Sequence, residues 1–463
     1  MTLFDKANIQ TVPKIHFSQY TMVVPRVPVS RRLAVLISMK LLLAVSVLFG
    51  FLFYSADLPY VAIIGSDIIL CLFLASMFKS KYRYLFLLHP LGILLFSQFF
   101  VTPFIELGDG DAYKAVVSEY LNSSDLSYNP IVSIDNYGIL GFFKYTSMGV
   151  APVYVIPEYF FINPDSSIYY LWQNTLHVLL SSIVISLTRI WNVVKVEHLF
   201  GFTLFAIIGP SFFELGAAPT RHIVTFFAII LLFFSFQALL QKVTPTRLFW
   251  FAIALAAVLI SKVVLLLPFI IYVVVDLLLN KRLSLNSSLF FAAGALVASF
   301  ILSDLLMTIT AYEEIAKGGT ATFGGMVQWP VIGWVVKYVY ALLAPFPWSS
   351  APEFISWNYG GNTPIFLMHI LSALMGLHLF MILIIKYRLI FSAGSDLREM
   401  ILYGVIMSLS IIKGSTGFHT YLLIYFPFFA PLLSNKQFHV SLLYPMAFVL
   451  VLEAILLVQK ICV

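Results

Sequence analysis

Charge is scarce in this chain. Asp, Glu, Lys and Arg supply 10% of its 463 residues, far below the roughly 25% of soluble domains, and that excludes a soluble enzyme, a disordered chain and a nucleic-acid binder. Cysteine is scarcer still. Only Cys71 and Cys462 occur, both inside apolar runs, so a disulfide scaffold is ruled out and two sulfurs are too few for a thiolate metal site. Internal repeats and low-complexity linkers are missing too. The first forty residues are polar and basic, with Lys6, Lys14, Arg26, Arg31, Arg32 and Lys40, and hold no short apolar stretch ending in a small-residue cleavage site. A cleaved signal peptide is therefore not expected, and the run 41–54 reads as a retained signal-anchor helix.

Apolar sequence is what the chain has in abundance: 61% of its residues are hydrophobic and its mean hydropathy is +0.96. The runs are too long and too frequent for separate water-facing cores. They predict an all-α, polytopic membrane protein forming one embedded unit over 1–463. A spanning helix needs about 20 mostly apolar residues, which gives about thirteen spans, near 37–55, 60–78, 84–104, 166–188, 199–214, 222–241, 248–261, 263–280, 287–308, 363–385, 400–413, 418–434 and 440–459. The stretch 248–280 is divided into a hairpin because Lys262 and Pro268 interrupt it and basic residues flank both ends (Lys242, Arg247, Lys281, Arg282).

With the amino terminus inside, 19 of the 27 basic residues fall on cytoplasmic segments and 8 outside, as the retention of basic loops in the cytoplasm requires. By the same assignment 14 of the 21 acidic residues lie outside. Acidic charge does little to set topology, so its outer concentration calls for a functional reason. Two outer loops are large, 105–165 and 309–362. Both are rich in aromatic residues and proline, which predicts ordered interfacial structure, with amphipathic helices over 112–121 and 334–343.

Four groups on the predicted outer side carry chemistry. The first is Glu106-Leu107-Gly108-Asp109-Gly110-Asp111-Ala112-Tyr113, where two carboxylates flank a glycine as the chain leaves the bilayer. Such a pair suits a general base or a divalent cation; the plainer reading is that one aspartate caps the next helix. The second is Pro219-Thr220-Arg221-His222. Its guanidinium fork fits phosphate oxygens and its imidazole can donate or exchange a proton, against the plainer reading of an arginine snorkelling at a helix end. The third is Ser261-Lys262, followed by an apolar run and Pro268. Lys262 either faces a site or marks a turn. The fourth is Lys413-Gly414-Ser415-Thr416-Gly417-Phe418-His419-Thr420-Tyr421, ahead of Pro427 and Pro431.

An aspartate in the first outer loop, followed closely by Tyr113 and an interfacial helix, resembles the C-type membrane glycosyltransferases, which take sugars from polyprenyl-phosphate donors. The resemblance implies that Asp109 or Asp111 is the catalytic base, that Lys262 faces the donor cavity, and that the segment around His419 contributes to donor binding. The family often has Arg-Tyr where this chain has His419-Thr420-Tyr421, so permanent charge at that point falls to Lys413. O-antigen polymerase-like proteins are the second resemblance. The expected partners are a lipid-linked sugar donor, a glycan, lipid or protein acceptor and membrane lipid, in a bacterial inner membrane with the site on the periplasmic or outer side. A loop aspartate works with or without Mg²⁺ or Mn²⁺, and no dedicated cage of ligands is visible.

A flippase or other transporter is the competing class. Asp67 and Glu453 lie within predicted spans, where an unpaired carboxylate is expensive, so each requires a partner, a cavity or a proton. A structural or interfacial role is the simpler reading for both. His177, His369 and His378 sit on apolar faces at no common spacing and read as satisfied core or interfacial histidines.

Overall fold

The computed structural model describes residues 31–54, 59–98, 157, 161, 166–215, 222–262, 265–280, 363–392, 394–408, 424–433 and 435–462. Every regular element among them is helical. In chain order they are α1 (Arg31–Tyr54), α2 (Pro59–Met77), a 3-10 turn Arg83–Leu87 leading into α3 (Leu88–Ser97), α4 (Ser166–Trp191), α5 (Val196–Ile208), α6 (Pro210–Leu215), α7 (His222–Gln241), α8 (Pro245–Lys262) and α9 (Leu266–Leu279). Then come α10 (Thr363–Ile385), α11 (Tyr387–Phe391), α12 (Ser395–Ser408) and α13 (Leu443–Cys462). Two of them, α2 and α7, are long and apolar enough to cross a membrane, and most of α7 is buried among other helices. The predicted span 287–308 and both predicted interfacial helices lie outside the described residues.

The run from 248 to 280 folds back on itself. Phe251 and Phe269 stand 18 positions apart, about 27 Å along one continuous helix, yet their ring centroids are 6.2 Å apart, and both rings meet Phe236 of α7. The region 199–214 is shorter than its hydropathy implied. Pro210 cannot continue the helical hydrogen bonding, so α5 stops at Ile208, Gly209 is extended, and α6 starts at Pro210. The stretch predicted as a span over 418–434 differs more. Its described part is a succession of 3-10 turns, Phe426–Phe428 and Ala430–Leu432, each with a proline in its first positions.

These turns dock where neighbouring helices have no side chain. A Cβ on Gly376 of α10 would collide with the Phe426 ring, one on Gly404 of α12 would lie 2.7 Å from Phe429, and one on Gly201 of α5 would lie 3.3 Å from the Pro431 backbone. Phe428 thereby reaches an aromatic centre, 5.0 Å from Tyr403, 5.1 Å from Phe202 and 5.5 Å from Phe233. The Tyr403 hydroxyl donates to the Ile229 carbonyl and Gln237 donates to the Tyr272 hydroxyl, so both tyrosines are buried with their polar tips satisfied.

One end of the bundle is basic and tied by hydrogen bonds. Gln241 at the end of α7 donates to the Asn192 carbonyl after α4, Arg247 of α8 donates to the Ala238 carbonyl of α7, and Arg398 of α12 donates to Asn280 after α9. Asp396 closes this end, accepting from the Lys195 backbone N–H at 3.0 Å and from His198 Nδ1 at 3.1 Å. Burial opposes the Asp396 charge, but these hydrogen bonds and the nearby charges of His198 and Lys195 outweigh it and bring the carboxyl down to about 2. At the opposite end Tyr60 and Ser167 join the starts of α2 and α4 through a 2.7 Å hydroxyl contact.

Candidate functional site

Of the eight residues assigned to the outer site from the sequence, two fall within described elements. His222 is the first residue of α7 and Lys262 the last of α8. Because α8 leaves the basic end just after α7 reaches it, the two positions share the opposite end of the bundle. Asp109, Asp111, Tyr113, Arg221, Lys413 and His419 lie outside the described residues. The helices that bracket them are described: α3 runs away from the basic end before the segment with Asp109 and Asp111, and α12 does so before the segment with Lys413 and His419.

The described residues contain a second polar centre, within the bundle. Asp67 of α2 is fully buried and accepts a hydrogen bond from His89 Nδ1 of α3 at 2.8 Å, and His89 is fully buried as well. Cys71 is one helical turn beyond Asp67, so both project from one face, and its Sγ lies 4.0 Å from the same Asp67 oxygen. His89 is backed by the Phe213 ring, stacked at 5.3 Å. Gly92 is what admits that ring, since a Cβ there would stand 2.8 Å from it. Phe213 reaches this position because the break at Gly209-Pro210 redirects α6.

The neighbouring Phe212 stacks on His177 of α4 at 4.7 Å, and His177 Nε2–H donates to the Ala206 carbonyl at 2.7 Å. That carbonyl belongs to the last turn of α5 and has no helical partner, because Pro210 has no N–H to offer it. His177 is thus a satisfied core histidine, as its sequence context implied. Asp67 has the partner its burial required.

Among the described residues, several buried polar atoms have no hydrogen-bond partner: Asp67 Oδ1, His89 Nε2, Ser66 Oγ, both side-chain polar atoms of Gln173, and Thr175 Oγ1. They come from α2, α3 and α4, three helices that pack together. Sequence reasoning placed its sites on the outer loops and passed over this centre. The available signal was the Asp67-x-x-x-Cys71 spacing inside one apolar run with His89 early in the next.

Compared with family models, curated proteins and solved structures, the chain matches none.

Proposed function

We propose that the protein is a multi-pass glycosyltransferase of about thirteen spans, with its basic end in the cytoplasm and its working face on the extracytoplasmic side. It moves a sugar from a polyprenyl-phosphate-type donor to an acceptor hydroxyl during cell-surface glycan synthesis. The observation that carries the reading is topological. The segments with Asp109, Asp111, Arg221, Lys413 and His419 all join described helices at the end opposite the basic one, the end at which α7 begins with His222 and α8 finishes with Lys262. Membrane residence is supported by large apolar side chains exposed on the bundle surface, among them Leu42 and Leu43 of α1, Leu91 and Leu95 of α3, and Leu443 and Leu450 of α13. In a water-soluble protein so much exposed apolar surface would drive association.

The chemistry follows from the residue types. Asp109 or Asp111 removes the proton from the acceptor hydroxyl, the resulting oxygen attacks the anomeric carbon, and the bond from that carbon to the phosphate oxygen breaks. Charge developing on the departing phosphate is stabilised by Arg221, Lys262 and Lys413, with His222 and His419 as further donors and Tyr113 lining the acceptor side. Direct attack inverts the anomeric centre. An embedded catalyst suits a donor whose polyprenyl tail reaches the site sideways from lipid.

Replacing the base should cost about 10²- to 10⁴-fold in transfer rate, so Asp109→Asn or Asp111→Asn in a stably folded protein is expected to abolish transfer from a labelled donor. Full activity in both variants would eliminate the assignment. The same assay separates a single-sugar transferase, giving one added residue, from an O-antigen or capsule type polymerase, giving a ladder. Metal dependence is read by repeating it with chelator, then with Mg²⁺ or Mn²⁺ restored.

A second reading, a lipid-linked sugar flippase or transporter, is favoured by the buried Asp67–His89 pair, since ionisable residues inside a membrane bundle commonly mark an ion pathway. Reconstituted vesicles that translocate lipid-linked sugar without covalent change would select it.

A further inference from the structure

We propose that Asp67, Cys71 and His89 form an intramembrane site for one divalent cation of the zinc class, clamping α2 to α3. The cysteine count argued against a thiolate centre, but the fold supplies the missing ligands from other chemistry. A carboxylate oxygen, a thiol sulfur and an imidazole nitrogen lie within 4.8 Å of one another, and all three residues are fully buried. Zinc bonds to O, N and S measure roughly 2.0–2.3 Å, so a tetrahedral ion keeps its ligand atoms on the order of 3.5 Å apart. The observed separations are 2.8 Å from His89 Nδ1 to Asp67 Oδ2 and 4.0 Å from Cys71 Sγ to Asp67 Oδ2. They bracket that value, and small side-chain rotations reach it.

Two further observations point to a cation. Among the described residues Asp67 Oδ1 has no hydrogen-bond partner, so half of the carboxylate is unsatisfied at a depth where an uncompensated polar atom is costly. Electroneutrality is the second. One divalent ion with one carboxylate, one thiolate and one neutral imidazole carries no net charge, the arrangement a low-dielectric interior tolerates best. On binding, His89 takes the neutral tautomer with its proton on Nε2, the Cys71 thiol releases its proton to bulk water, and Sγ, Asp67 Oδ2 and His89 Nδ1 each donate a lone pair; nothing is oxidised or reduced. The mixed donor set selects zinc-like ions over Mg²⁺ and Ca²⁺, which take oxygen ligands.

The site is independent of the glycosyl-transfer reading, and its failure would leave that reading intact. An occupied site would leave no free carboxylate at Asp67 for ion coupling, so it weighs against the transport alternative.

The test uses the purified full chain, stripped with chelator and titrated with Co²⁺ as a spectroscopic stand-in for zinc. The expected result is one equivalent bound, with a thiolate-to-metal charge-transfer band in the near ultraviolet. Because Cys71 and Cys462 are the only cysteines, the band should persist in Cys462→Ser and vanish in Cys71→Ser. Asp67→Asn and His89→Gln should each weaken Co²⁺ binding at least tenfold. Where chelator fails to strip the protein, elemental analysis takes over, and about one zinc per chain in the parent and Cys462→Ser, absent from Cys71→Ser, is the supporting result. A parent protein with neither band nor metal, or a band unchanged in Cys71→Ser, overturns the proposal. Should Cys71→Ser fail to fold, the comparison of parent with Cys462→Ser still decides, since a surviving band has only Cys71 as its source.

Discussion

Asp396 shows how much one buried carboxylate contributes. Its folded value of about 2 lies below the 3.8 of the free side chain, so the ionised form is favoured by folding. The corresponding stability is present above about pH 4 and is lost as pH falls through about 2. A shift of this size corresponds to about 2 kcal/mol. Asp396→Asn should lower the melting temperature at pH 7, and the difference between parent and variant should shrink as pH falls from 4 to 2. A difference that stays constant over this window would show that the charge is not what His198 and the Lys195 N–H hold. The sequence predicted nothing of this pair, because His198 and Asp396 are 198 positions apart and neither sits in a recognisable motif. Asp67 was partly legible: its place in an apolar run demanded a partner, but only packing of α3 on α2 identifies His89.

Helix packing here rests on missing side chains as much as on present ones. Lipid tails are as apolar as leucine, so helices gain from close van der Waals fit and not from leaving water, and small residues at crossings permit that fit. Gly404 is such a crossing, meeting both Phe428 and Phe429, whereas a Cβ on Gly65 of α2 would find nothing within 4 Å. Gly404→Ala should therefore destabilise by about 1–3 kcal/mol through overpacking. Gly65→Ala should be neutral or stabilise by up to about 1 kcal/mol, since alanine is the better helix former. Thermal unfolding in detergent compares them, and equal melting temperatures would refute the docking role given to the Phe-Pro turns. Element boundaries were legible where hydropathy and punctuation agreed: α7 begins and ends where its apolar run does, and Lys262 and Pro268 betrayed the hairpin of α8 and α9. They were not legible over 418–434, where hydropathy stays high while Pro427 and Pro431 remove the amide hydrogens an α-helix needs. Average hydrophobicity reports burial, not backbone geometry.

For the whole molecule the decisive quantity is which side of the membrane the basic end occupies. The described structure gathers the ends of α4, α7 and α9 with the starts of α5, α8 and α12 through Gln241, Arg247, Asp396 and Arg398, so the alternation of direction inferred from charge is also the alternation the packing requires. The placement of basic residues makes this alternation readable in the sequence. Convergence of the four outer groups on one site depends on helix neighbours that no local pattern specifies, and of its residues only His222 and Lys262 fall within described elements. Orientation is checked by single-cysteine labelling in a Cys462→Ser background, where the remaining Cys71 is fully buried. Val243→Cys and Ser392→Cys sit at exposed positions of the basic end and should react with an impermeant maleimide only after the membrane is opened. Ser123→Cys, in the segment that connects α3 to α4 in sequence, should react on intact cells. Labelling of Val243→Cys or Ser392→Cys from outside would invert the topology and move Asp109, Arg221 and Lys413 to the cytoplasmic face. There soluble nucleotide-sugars reach them directly, and the reason for choosing a polyprenyl-linked donor disappears.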